Sequence, residues 1–170
     1  MTNKLKNKVV LLSGGATGIG HECALAYTRE GATVAVLDRN IEGAKVTAEQ
    51  AGNNSLALEV DVSDGSAVGA AVATVLEKFG RLDAIHNNAG IVGPTRPLHE
   101  TSEEEWDQLQ RVNLKSVYWT TKHAFSSLVK AKGTILNTAS MTGLLGQQDH
   151  AAYVATKGGM ISLTKAMAAD

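Results

Sequence analysis

The chain has one cysteine, Cys23, among 170 residues. That count excludes an internal disulfide framework and a multi-cysteine metal site, and the reading includes no metal at all. Cys23 falls on an apolar helical stripe, which suits inert packing. Long apolar runs are missing too. Lys4, Lys6 and Lys8 precede an apolar run at Val9, but it ends at Ser13-Gly14-Gly15, too short for a signal peptide or a bilayer span. Neither sign of charge dominates, with Lys plus Arg at 16 and Asp plus Glu at 17. This leaves no electrostatic case for nucleic acid or an anionic membrane as partner. There are two prolines, Pro94 and Pro97, both in one loop, and there is no low-complexity tract or internal repeat. The expectation is a soluble, cytoplasmic protein made of a single domain over residues 1–170. A chain of this length buries about 70% of its unfolded surface.

What is present is organised around Val9–Gly20, VVLLSGGATGIG. Val9–Leu12 fits a strand buried on both faces. Ser13–Gly20 is a glycine-rich turn carrying Gly14, Gly15, Gly18 and Gly20. After it the apolar residues Ile19, Cys23, Ala26 and Tyr27 fall on one helical face. Strand, glycine turn and helix together suit a dinucleotide pyrophosphate, which needs close backbone approach and helix N–H groups. The spacing is Gly14-x-x-x-Gly18-x-Gly20, and on its own it also fits, less well, a tight connection with no ligand. Asp38 supports the ligand. It ends the next apolar strand, Thr33–Leu37, where a carboxylate can accept hydrogen bonds from ribose hydroxyls.

Further along, a polar helix over Ile41–Gln50 stops at Gly52-Asn53-Asn54. A third strand, Leu56–Val60, is followed by Asp61. Ser63 or Asp64 can cap the next helix, whose stripe is Val68, Val72, Val75, Leu76 and Phe79 before the stop at Gly80. A fourth strand, Leu82–His86, runs into Asn87-Asn88-Ala89-Gly90. Ser102 and Glu105 form a capping box ahead of Trp106, Leu109 and Val112. A further helix covers Leu114–Lys130, with Val117, Thr121, Phe125 and Leu128 spaced for one face. A fifth strand, Thr134–Thr138, leads through a loop, Ser140–His150, to a last helix from Ala151. Five alternations of strand and helix predict an α/β fold, a doubly wound parallel sheet with helices on both faces. The glycine turn, Asp38, Asp61, Asn87–Gly90 and Ser140 each follow a strand, so they would gather along one sheet edge.

Tyr153 and Lys157 stand four apart, and on a helix they would share a face. An ammonium beside a phenol favours the phenolate, which makes such a pair an acid/base at neutral pH. Ser140 could donate a hydrogen bond to the same substrate oxygen. The pair alone is also a common surface arrangement. His86 reads as a packed or hydrogen-bonded core residue, and His150 as a loop residue near Tyr153.

Taken together, these residues resemble the short-chain dehydrogenase/reductase family from Lys6 to the last residue. Ser13-Gly14-Gly15-Ala16-Thr17-Gly18-Ile19-Gly20 is similar to its glycine motif, with Ser13 where Thr is usual. Asp61-Val62 resembles its adenine-contacting segment, and Asn87-Asn88-Ala89-Gly90 its strand-four motif. Asn113, Ser140, Tyr153 and Lys157 match its four catalytic positions. The resemblance implies a Rossmann sheet of strand order 3-2-1-4-5. It implies a cofactor site at Ser13, Gly14, Thr17, Gly18, Ile19, Gly20, Asp38, Asp61, Val62, Asn88, Ala89, Gly90, Tyr153 and Lys157. It also implies a mechanism. Tyr153 would exchange a proton with the substrate oxygen, and Ser140 would hydrogen-bond that oxygen. Lys157 would hold the nicotinamide ribose and favour the Tyr153 phenolate. Asn113 would position a water in a relay through Lys157. Hydride would pass between NAD(H) and a secondary alcohol or ketone. Asp38 implies NAD over NADP, because a carboxylate repels a 2′-phosphate, although Arg39 beside it would soften that preference. Ile91–Pro97 and Leu144–His150 are the candidate substrate contacts.

One departure is the end of the chain. Family members usually continue through a sixth strand, a substrate-covering loop and a seventh strand. Here Ile161–Ala169 is still helical in composition, without a stop signal, and Asp170 would oppose the helix dipole. The expectation is a part of a longer enzyme or a truncated remnant, with strand five as a sheet edge. The alternative function is a non-catalytic dinucleotide-binding fragment. A homodimer or tetramer through Leu114–Lys130 and the last helix is implied for the full-length family member.

Overall fold

The computed structural model describes residues 3–170. Five parallel strands form one sheet: β1 (Val9–Ser13), β2 (Thr33–Asp38), β3 (Leu56–Glu59), β4 (Ala84–Asn87) and β5 (Thr134–Asn137), in the order β3-β2-β1-β4-β5. That is the order expected. The chain winds outward from β1 through β2 to β3, then returns to lay β4 on the other side of β1. The crevice between the carboxyl ends of β1 and β4 is therefore the switch point where such sheets bind ligands.

Alternation along β1 divides the core. Val9 and Leu11 pack with Leu37, Ile85 and the valines of α3 (Gly65–Phe79), and with Ala124 and Leu128 of α5 (Ser116–Ala131). Val10 and Leu12 pack with Val34 and Val36, against Ala24 of α1 (Gly18–Arg29) and Ala44 and Ala48 of α2 (Ile41–Ala51). Leu11, Leu12, Val34, Val36 and Leu37 are all fully buried, each worth about 1.5–3 kcal/mol by transfer. Asp64 caps α3 by accepting from the Ser66 and Ala67 N–H groups. Ser102 and Glu105 form the expected capping box on α4 (Glu103–Gln110).

Three expectations need correction. The fully buried residues of α1 are Gly20, Ala24 and Thr28; of the expected stripe, Cys23 and Tyr27 pack partly buried against the core, while Ala26 is exposed and Ile19 is 66% exposed. Small side chains face the sheet because the helix approaches it closely, and Ile19 is turned towards the crevice. On α5 the buried face is Val117, Thr120, Ala124 and Leu128, while Phe125 is 60% exposed. Val117 and Leu128 fall as expected, and the face between them runs through Thr120 and Ala124 in place of Thr121 and Phe125. A π turn over Arg111–Lys115 joins α4 to α5. Finally, the loop after Ser140 contains a short helix, α6 (Thr142–Leu145), before α7 (Ala151–Met167). β5 lies at one edge of the sheet with Leu136 half exposed. No helix is long and apolar enough to cross a membrane among the described residues.

Candidate functional site

A cleft of about 770 Å³ opens along the carboxyl ends of the strands. One side is the turn from β1 to α1. The Gly14 and Gly15 N–H groups donate to the Leu37 carbonyl, which ties the turn to β2. The Asp38 carboxylate accepts from the Ala16 N–H at 3.0 Å and the Asn40 N–H at 2.9 Å, so it braces the same turn from below. A Cβ on Gly20 would collide with the Gly14 carbonyl oxygen and come within 2.8 Å of Asn88 Nδ2. Only glycine allows this close approach. Gly18 has φ +55° and nothing within 4 Å of where a Cβ would stand, leaving room for a ligand at the helix start. Thr17 makes no side-chain cap and the first turn of α1 holds no acidic residue, so the helix N–H groups face the cleft ready for an anion.

Farther along the same rim, Asp61 accepts from the Ser63 hydroxyl at 2.7 Å and its N–H at 2.8 Å. These bonds, helped by the Arg39 charge, hold its carboxyl below the usual carboxylate range. Across the crevice, Ser13 is buried and its hydroxyl oxygen accepts from the Asn88 and Ala89 N–H groups, both at 3.2 Å. Asn88 in turn donates through Nδ2 to the Gly14 carbonyl at 3.0 Å. The strand-four motif thus clamps the glycine turn.

The other end of the cleft holds the chemically active side chains. Tyr153 and Lys157 both line it from α7, with Lys157 Nζ 5.9 Å from the centre of the Tyr153 ring. Lys157 is buried and donates to the Thr138 carbonyl at 2.7 Å. Burial pushes its pKa down. Ser140 also lines the cleft. Its Oγ accepts from the Thr142 N–H at 3.2 Å and the Thr142 hydroxyl at 2.9 Å, which leaves its own hydrogen to donate outward. Asn113 is fully buried in the π turn. Its Oδ1 accepts from the Ile91 N–H, and its Nδ2 donates to the Ile91 carbonyl and Thr156 Oγ1. Gly90 lies between Asn113 and Lys157, within 3.4 and 3.5 Å of their side chains for a Cβ placed there.

So the structure brings Gly14, Thr17, Ile19, Asp38, Asp61, Val62, Asn88, Ala89, Gly90, Ser140, Tyr153 and Lys157 into one cleft. Ser13, Gly20 and Asn113 are buried behind it, and Gly18 is exposed at the helix start beside it. The two candidate substrate loops meet where the Arg96 N–H donates to the Asp149 carbonyl at 2.8 Å and Thr95 Oγ1 lies 3.2 Å from His150 Nε2. Sequence reading missed Thr138, Val112, Gln108 and Arg111 on the wall and Thr142 behind Ser140. Thr138 could have been found, because it ends a strand as Ser13 and Asp38 do. Gln108 on α4 and Arg111 and Val112 in the π turn reach the cleft only through the fold.

The short chain dehydrogenase family model matches residues 8–170. The chain is 38% identical over 170 residues to a 3beta-hydroxysteroid dehydrogenase of Mediterraneibacter gnavus, covering 98% of this chain and 62% of that protein. It is 41% identical over 171 residues to a cyclopentanol dehydrogenase of Comamonas testosteroni, covering 98% of this chain and 68% of that one. Among solved structures it resembles a 3-ketoacyl-(acyl-carrier-protein) reductase from Brucella melitensis complexed with NADH, with TM-score 0.93 and 36% identity over 96% of this chain and 69% of that one. An NAD+-bound xylitol dehydrogenase matches with TM-score 0.93 and 31% identity over 98% of this chain and 66% of that one. The chain spans 62% to 68% of the length of the two curated relatives.

Proposed function

The chain belongs to the short chain dehydrogenase family, and from that membership we propose that it is an oxidoreductase interconverting a secondary alcohol and a ketone with a nicotinamide dinucleotide. The observation that carries this reading is one continuous cleft with a glycine turn at one end and Ser140, Tyr153 and Lys157 at the other. The residues present fit the dinucleotide. Gly18 and the uncapped α1 N-terminus would take the pyrophosphate, Asp38 the adenosine ribose, and Asp61 and Val62 the adenine. Lys157, Asn88 and Gly90 would hold the nicotinamide half. When bound, the nicotinamide supplies the hydride acceptor or donor.

The chain's own part is proton handling and orientation. Ser140, already accepting two bonds from Thr142, directs its hydrogen at the substrate oxygen and holds that atom beside Tyr153. Tyr153 takes the hydroxyl proton in oxidation and returns it in reduction. The buried Lys157 ammonium stabilises the phenolate form of Tyr153. Asn113 is committed to Ile91 and Thr156, so it acts by holding the Gly90–Ile91 wall and the helix of Tyr153 in register, and its role in a water relay is a proposal beyond these contacts. Asp38 favours NAD(H), since a 2′-phosphate would meet its carboxylate. The relatives named for steroid and cyclopentanol oxidation point to a small-molecule alcohol, and assembly into dimers or tetramers and a cytoplasmic setting complete the proposal.

The test is a fluorescence titration with NADH and NADPH, then a secondary-alcohol screen of wild type and Tyr153→Phe. Tighter NADH binding is expected, with turnover falling at least about a hundredfold in the variant. Tighter NADPH binding overturns the cofactor preference, and turnover that survives Tyr153→Phe overturns the mechanism.

A further inference from the structure

His86 stands in the interior of the sheet, 4% exposed, at a strand position where an apolar side chain would pack without needing partners. It has two. Tyr27 on α1 places its hydroxyl 3.0 Å from Nδ1, and Thr138 at the end of β5 places Oγ1 2.9 Å from Nε2. Thr138 has one hydroxyl hydrogen, and it is directed at Asn88 Oδ1 at 3.3 Å. With that direction, His86 Nε2 donates to Thr138 and Nδ1 accepts from Tyr27. Burial pushes the Tyr27 phenol up to about 12 and the His86 imidazole down, consistent with a phenol that donates and a neutral ring. The series continues from Asn88 Nδ2 to the Gly14 carbonyl. It therefore runs one way from α1, across β4 and β5, to the glycine turn. Thr138 also offers its carbonyl to Lys157 Nζ at 2.7 Å.

We infer that His86 is a positioning residue for the nicotinamide half of the site, its neutral Nε2–H form locking Thr138 so that Asn88 and Lys157 are held against the cleft. The inference rests on the dinucleotide-dependent reading above. It is specific in space: Thr138, Asn88 and Lys157 all lie on the cleft wall away from Asp38 and Asp61. An apolar side chain at 86 would remove the donor to Thr138 and the acceptor for Tyr27, leaving Thr138 fixed only by its bond to Asn88 and the network half satisfied.

The experiment compares wild type, His86→Gln, His86→Leu and Thr138→Val by titration with NADH and with ADP, which lacks only the nicotinamide and its ribose. Gln supplies a donor at the reach of Nε2, so His86→Gln keeps NADH affinity within about twofold. His86→Leu and Thr138→Val each remove two bonds of the network and weaken NADH at least about tenfold, and leave ADP within about twofold. If His86→Leu does not fold by circular dichroism, Thr138→Val, which keeps the side-chain shape and removes the His86 and Asn88 bonds together, tests the Thr138 end, and His86→Gln against wild type tests the His86 end. Three results overturn the inference: unchanged NADH affinity in Thr138→Val, equal loss of NADH and ADP, or a Gln variant as weak as the Leu variant. Absence of NADH binding in folded wild type overturns the dinucleotide reading itself and the inference with it, and the wild-type titration alone distinguishes that case.

Discussion

The two ends of the same five strands are built on opposite principles. At the amino end, Asp83 is buried beside β1 and is saturated. It accepts twice from Arg81 and once each from Lys8 and the Val9 N–H, so the carboxylate has no acceptor capacity left. At the carboxyl end, polar groups are equally well held but keep capacity facing a cleft. Ser140 accepts twice and retains its hydrogen, the α1 start is uncapped, and Gly18 is bare. The contrast teaches how to separate a structural polar cluster from a site. Both are ordered by hydrogen bonds. Only the second orders groups whose remaining valence points into open space.

The largest break in this comparison is Gly20→Ala. Its Cβ would meet the Gly14 carbonyl oxygen, so either the turn or the start of α1 must move. Overpacking of this kind costs about 3 kcal/mol, and NADH binding is expected to fall more than tenfold, read by thermal melts and titration. A variant that binds NADH normally would show that the turn is not the dinucleotide cradle.

Asp83→Asn should break the other end alone. The thermal midpoint is expected to drop by about 5 °C with NADH affinity unchanged. Burial pushes the Asp83 carboxyl up, but the bonds from Arg81, Val9 and Lys8 outweigh it and hold it below the usual range. Its folded pKa is therefore lower than its unfolded one, and its contribution is complete above the ordinary carboxylate range. It is lost as the pH falls through the folded value. The gap in melting temperature between wild type and variant should close on acidification, and a gap that widens would contradict the saturated pair.

The smallest effect sharpens rather than breaks the contrast. Thr142→Val removes the hydroxyl donor to Ser140 Oγ and keeps the backbone one. Turnover is expected to fall about threefold with the apparent affinity for NADH unchanged, since one neutral hydrogen bond orienting one donor is at stake. A larger change in NADH affinity than in turnover would assign Thr142 to cofactor binding.

Much of this was legible along the chain. Buried strands announce themselves as short apolar runs, and β1, β2 and β5 fall where their composition puts them. The turn residues that end those strands also mark the cleft, because in a parallel sheet every strand ends at the same side. Helix faces were less legible. Ile19 and Phe125 fit apolar stripes by spacing, yet both are exposed. Hydrophobicity does not say how near a helix sits to its sheet, and the π turn at Arg111–Lys115 has no composition of its own. His86 was legible as a bonded core residue, but its partners Tyr27 and Thr138 are 59 and 52 positions away and belong to other elements.

The sequence by itself determined the α/β alternation, the glycine turn and the Tyr153–Lys157 pair, because these are local: adjacent residues or one helical turn suffice to create them. Only the tertiary structure decided that Asn113 faces inward, that Thr142 stands behind Ser140, and that Thr138 joins His86 to Asn88 and Lys157. Those relations depend on strand order and register, which place residues from separate elements within hydrogen-bond distance, and no local pattern records which lone pair will find which hydrogen.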